Sequence, residues 1–137
     1  MIWEKDMMVA EVPIKSDEDV IVARQKVRQL AQELGLSLLD QTRLVTAVSE
    51  LARNIAVHAG EGKVRVYRFM ADDREGLKVV FEDNGPGIPD VEKVMEEGFS
   101  AMGSLGLGLK GARRLVDEFH IRSAPGQGTT VKIIKWL

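Results

Sequence analysis

The hydrophobic period changes once between residues 20 and 83, and that change limits what the chain can fold into. Val20, Ala23, Val27, Leu30 and Leu34 are spaced by three and four, and so are Leu44, Val48, Leu51 and Ile55. Each set makes one apolar stripe along a helix. Ser16 or Asp17 can cap the first helix, Asp17, Glu18 and Asp19 favour its positive end, and Gly35 closes it. The second begins near Leu38 or Asp40 and ends at Gly60. From Lys63 the pattern reads as strands. KVRVYRFM (63–70) alternates, while GLKVVFED (76–83) is more apolar and so more central, with ADDREG as the hairpin loop between them.

The flanks complete the order. MMVAEVPI (7–14), stopped by Pro13, suits an edge strand. Asp90 to Glu97 reads as a short helix, GFSAMGSLGLG has the glycine content of a mobile lid, and Leu109 to Phe119 returns to helical spacing. HIRSA and TTVKIIKW are two last strands around the turn PGQG. The sum is β-α-α-β-β-α-α-β-β. It predicts an α+β two-layer sandwich, a mixed and mostly antiparallel sheet with helices on one face. A length of 137 residues predicts one domain over 1–137.

Bulk charge narrows the function. With 19 basic and 21 acidic residues the net charge is −2, which provides no basic footprint for nucleic acid. Cysteine is absent, which excludes a disulfide framework and a cysteine zinc site. MIWEKDMMVAEV has acids where a signal peptide has its apolar stretch, and no apolar run reaches a membrane-spanning length. A soluble cytoplasmic protein is expected.

Three polar segments stand out. Glu50, Asn54 and His58 are spaced by four on the second helix, at the border of its apolar stripe. Alone, that reads either as a site or as a solvated face with a local hydrogen bond. EDNGPGIPD (82–90) puts Asp83 at a strand's end, followed by Gly85 and Gly87, which let a planar ligand or water approach the main chain, between stiffening prolines. A carboxylate there can accept from an exocyclic amine; the other reading is a strand-to-helix turn. GSLGLGLKG (103–111) carries Gly103, Gly106 and Gly108 into a helix, where free amides and the dipole favour an anion. It is neither a dinucleotide fingerprint nor a P-loop. GQGTTV (126–131) adds the hydroxyls of Thr129 and Thr130 after a tight turn. Lys110 reads either as a phosphate contact or as a surface lysine, and His58 as structural.

Taken in order, Glu50-x-x-x-Asn54, Asp83-x-Gly85-x-Gly87, Gly106-x-Gly108 with Gly103 ahead, and Gly128-Thr129 resemble the Bergerat-fold (GHKL) family shared by Hsp90, gyrase, histidine-kinase and MutL ATPases. The resemblance covers nearly the whole chain. A chain this short leaves no room for the further domains of most of those relatives or for a phosphoacceptor helix pair. VSELARNI, EDNGPGIPD, KVMEEGFS, GLGLKGARRLVDEF and GTTVKIIKW are similar to the RsbT-type serine/threonine switch kinases of bacterial stressosome partner switching.

That resemblance implies a role for each residue. Asp83 would receive the adenine amino group, with Gly87 leaving room beside the base and Thr129 or Thr130 completing its site. Asn54 would bind Mg²⁺, the amides around Gly106 and Gly108 would hold the phosphates of ATP, and Glu50 would be the general base. It implies STAS-domain proteins as phosphorylation targets and a PP2C-type phosphatase regulator as a second partner; on charge and hydropathy, no nucleic acid and no membrane is expected as a partner. An ATP-binding anti-sigma factor, which sequesters a sigma subunit, would use the same pocket.

Overall fold

The computed structural model describes residues 4–96 and 104–137. The elements run β1 (Glu4–Ile14), α1 (Asp17–Leu34), α2 (Leu38–Asn54), a π-helical turn (Ile55–Ala59), β2 (Gly62–Ala71), β3 (Arg74–Asp83), α3 (Val91–Val94), α4 (Ser104–Leu115), β4 (Glu118–Ser123) and β5 (Thr129–Trp136). The strands form one sheet in the order β1-β2-β3-β5-β4. Every pair is antiparallel. The expected α+β layering therefore holds, without the parallel pairing that a mixed sheet would contain.

The stripes read from the sequence are the faces that pack. Val64, Val66, Leu77, Val79, Phe81, Val131 and Ile133 face one side of the sheet, and Val27, Leu44, Val48, Leu51 and Leu109 of the helices are buried against them. At about 1.5–3 kcal/mol for each large apolar side chain removed from water, this layer holds the helices to the sheet. The helix ends follow the expected chemistry in part: Ser37 Oγ accepts from the Asp40 amide at 3.1 Å and Gly35 closes α1 in the left-handed region at φ 86°, but Ser16, at the N-cap of α1, makes no side-chain capping bond.

Four boundaries differ from expectation. β1 begins at Glu4 and continues through Pro13, which pairs with Lys63 on an edge strand, where a missing N–H is tolerated. The β2–β3 hairpin closes on Asp72 and Asp73 alone, at φ 50° and 69°, because two consecutive left-handed residues match the twist of the strands. α3 is one turn, capped by Asp90 Oδ1 accepting from the Lys93 amide at 3.1 Å. α4 starts at Ser104, inside the glycine-rich stretch read as a lid, and stops at Leu115, so Phe119 lies in β4 opposite Ile133. A helix holding Gly106, Gly108 and Gly111 gives up about 1 kcal/mol per glycine relative to alanine, and packing must offset that cost. The part of the predicted lid at 98–103, Gly103 included, lies outside the described residues.

Candidate functional site

Three strands and two helices meet at one end of the sheet. Asp83 is the last residue of β3; its register partners are Gly62 on β2 and Thr129 on β5. Thr129 therefore shares the core side of the sheet with Asp83. The pleat turns Thr130, which pairs with Glu82 and Arg122, to the other face. Of the two threonines expected at the base site, the structure brings only Thr129 to it.

Above this strand end lies a recess of about 450 Å³, its open mouth included, lined among others by Asn54, Ile55 and His58, by Asp83, Gly87 and Ile88, by Leu105 and Leu109, and by Thr129. Its walls are apolar and its polar groups few, the usual make-up of a small-molecule site. Asp83 and Thr129 stand at the sheet end, and α4 begins on the other side. The carboxylate and hydroxyl at the sheet end can accept from a ligand's donor edge.

The Asp83 carboxyl is partly buried, and that burial raises its pKa above the ordinary carboxylate value. The amides of Gly85, at 2.9 Å from Oδ1, and of Thr129 donate to the carboxylate and pull the other way without cancelling the effect.

The glycines differ in function. A side-chain carbon on Gly87, which has φ 76°, would lie 2.0 Å from the Ala124 carbonyl oxygen, so the loop is seated on the β4–β5 turn by the absence of that atom. Gly85 makes room for Ala59 of the π-helical turn, 2.7 Å from such a carbon. In both cases the close approach includes the protein's own chain. Gly106 is the third residue of α4 and keeps a free amide; Gly108 is the fifth, and a helix uses that amide in its own ladder. Gly108 contributes space instead. A carbon added there would meet Asn54 Oδ1 at 3.2 Å and Nδ2 at 3.3 Å, and Glu50 Oε2 at 3.3 Å. Glu50 and Asn54, one turn apart on α2, thus converge on the backbone of α4.

Asn54 Nδ2 is buried without a hydrogen-bond partner. Such an atom at the wall of a recess is set for a ligand, and rotating the amide presents its oxygen instead. Among the described residues no cluster of three or more His, Asp or Glu gathers to hold a metal. A divalent ion at Asn54 would therefore draw further ligands from phosphate and water, as Mg²⁺ does. The Oε1 of Glu50 pairs with Arg53 at 3.5 Å across a half-exposed helix surface.

Three features were not legible beforehand. Ile55–Ala59 forms a π-helical turn closed by the Gly60 amide on the Ile55 carbonyl at 2.9 Å, and it brings both His58 and Ala59 to the recess. Ser123 links the 82–90 loop to β5, and nothing in HIRSA marks it. Lys110 is buried, neither a surface lysine nor turned to solvent, and donates to the Glu96 carbonyl at 3.1 Å.

Comparison with known proteins agrees with this geometry. The family described as "Histidine kinase-, DNA gyrase B-, and HSP90-like ATPase" matches residues 39–137. The serine/threonine-protein kinase RsbT of Bacillus subtilis is 50% identical over 126 residues, covering 92% of this chain and 95% of that one. An anti-sigma F factor of Caldanaerobacter subterraneus is 32% identical over 121 residues, 84% of this chain and 83% of the relative. Among solved structures, that of the RsbU and RsbW domains of Rv1364c from Mycobacterium tuberculosis superposes with a TM-score of 0.61 at 20% identity, over 93% of this chain and 32% of that one, a likeness of fold. Among the described residues no helix is long and apolar enough to cross a membrane.

Proposed function

The chain belongs to the histidine kinase-, DNA gyrase B- and HSP90-like ATPase family, and from that premise we propose that it is an ATP-dependent serine/threonine protein kinase acting on a STAS-domain partner in bacterial partner switching. The observation that carries this reading is the convergence of Glu50 and Asn54 on Gly108, beside a recess ending in Asp83 and Thr129.

Each residue has a task in that reaction. Asp83 accepts a hydrogen bond from the adenine 6-amino group, and the apolar walls take the ring. Gly106, at the start of α4, offers an amide to the phosphates, where the helix dipole favours negative charge. Asn54 would hold Mg²⁺, which when bound neutralises charge on the phosphate oxygens. Glu50 takes the proton of the incoming serine or threonine hydroxyl; that oxygen bonds to the γ-phosphorus, and the bond to the ADP oxygen breaks. Such a transfer asks the protein mainly for positioning and charge stabilisation.

The setting follows from the same reading: a cytoplasmic stressosome-type pathway, with STAS-domain antagonist and scaffold proteins as targets and a PP2C-type phosphatase regulator as the partner after release. Mixing the protein with a STAS-domain protein and γ-labelled ATP is expected to label a serine or threonine of that partner. Absence of label on any hydroxyl residue would overturn the kinase reading. A second reading is favoured by the relative named as an anti-sigma F factor. Retention of a sigma subunit instead of a STAS protein on the immobilised chain, in the presence of Mg-ATP, would favour it.

The raised Asp83 pKa has a defined pH consequence. Receiving an amino group needs the carboxylate, so preference for ATP over ITP, whose 6-oxo group only accepts, should fall as pH drops through the Asp83 titration. The decline begins at higher pH than for an ordinary aspartate. Competition binding of the two nucleotides across that range, corrected for the separately titrated N1 of adenine, reads it, because the titration of their phosphates cancels. A flat ratio would place the base away from Asp83.

A further inference from the structure

Ser123, at the end of β4, has three oxygen or nitrogen atoms within hydrogen-bond distance of its hydroxyl. The Ile88 amide of the 82–90 loop donates to Oγ at 2.8 Å, the Gly128 carbonyl oxygen lies 2.8 Å away, and Thr129 Oγ1 lies 2.8 Å away on the neighbouring strand. A serine hydroxyl has one proton and two lone pairs. One lone pair is occupied by the Ile88 N–H. The proton goes to the Gly128 carbonyl, which can only accept. With the proton on Gly128, the last lone pair is left for the Thr129 hydroxyl to donate to.

That arrangement bears on what Thr129 can show the recess. With its proton held by Ser123, it faces the recess with lone pairs, beside a carboxylate that also only accepts. We infer that Ser123 fixes the hydroxyl proton of Thr129 and so makes the sheet end of the recess acceptor-only, selecting a purine with a 6-amino group over one with a 6-oxo group. The inference rests on the reading of this recess as an adenine site, and gives Ser123 the role of a positioning residue that acts through Thr129. Removing the Ser123 oxygen would leave the Thr129 hydroxyl free to rotate and donate to a 6-oxo group.

The test measures the affinity of the full chain for Mg-ATP and Mg-ITP by competition. Wild type is expected to prefer ATP. Ser123→Ala should lower that preference several-fold, up to about tenfold, the worth of one neutral hydrogen bond. Thr129→Val should also lower it, because the lone pairs that repel a 6-oxo group leave with the hydroxyl, and Ser123→Ala should then add nothing in the Thr129→Val background. The sign for Thr129→Val decides the matter even if Ser123→Ala fails to fold: a raised preference would mean that Thr129 was donating to the base, and would overturn the inference. So would an equal weakening of both nucleotides by Ser123→Ala, the mark of a residue that only holds the loop. Wild type binding ATP without preference over ITP overturns the inference and leaves a purine site. Wild type binding neither nucleotide overturns the adenine-site reading itself.

Discussion

Glu50→Gln is expected to slow phosphoryl transfer to the partner hydroxyl by about 10²- to 10⁴-fold, the usual contribution of a positioned general base, while binding of Mg-ATP persists. Glutamine keeps the shape of the side chain and its packing against Gly108, where Glu50 Oε2 lies 3.3 Å from the site of an added carbon. What it loses is the capacity to take a proton. The substitution also removes the ion pair with Arg53, but those side chains are 39% and 52% exposed, so the loss should cost a few tenths of a kcal/mol at most. Two readouts separate the roles. The initial rate of transfer reports the base, and the rise in Tm with Mg-ATP reports nucleotide binding by mass action. An unchanged rate removes Glu50 from the chemistry. Loss of both rate and Tm shift would make it a nucleotide ligand instead.

The same pair shows how far a sequence can be read. Spacing by four placed Glu50 and Asn54 on one side of α2, because helical period is a local property. That they meet α4 at Gly108 depends on how two helices cross over a sheet, and no local pattern encodes the crossing. Gly108 looked like a phosphate-binding amide because glycine-rich stretches before a helix often are; its actual position, five residues into α4, reflects packing overriding a weak helix propensity. The Gly128-Thr129 motif put Thr129 ahead of Thr130, but what separates them physically is the register with Asp83 and Glu82, since one step along a strand changes face. Ser123 had no signal at all, for its importance lies in three partners drawn from the 82–90 loop, the β4–β5 turn and β5. The sheet and the long helices were legible because period and caps are written locally. The contacts that join the site were not, because each depends on residues distant in the chain.

Gly87→Ala is expected to lower stability by about 3–5 kcal/mol and to abolish the Tm shift with Mg-ATP. The estimate has two parts. An alanine at φ 76° carries about 1–2 kcal/mol of left-handed strain. Its side-chain carbon would also lie 2.0 Å from the Ala124 carbonyl oxygen, a backbone atom that cannot swing aside. Relief requires the loop to lift from the β4–β5 turn. The loop is fastened there on both sides of Gly87, by the Gly126 amide on the Pro86 carbonyl at 2.8 Å and by the Ile88 amide on Ser123 Oγ at 2.8 Å, each worth about 1 kcal/mol net. Because Gly87 and Ile88 line the recess, lifting the loop opens the base site as it lowers stability. Gly126→Ala is the control: its φ is 73°, yet an added carbon meets nothing within 4 Å, so only the strain remains. At roughly 3–5 °C per kcal/mol for a chain of this size, Gly87→Ala should melt about 10–20 °C below wild type and Gly126→Ala about 5 °C below. Equal losses for the two would show that backbone conformation, and not the seating of the loop on the turn, sets the requirement for glycine at position 87.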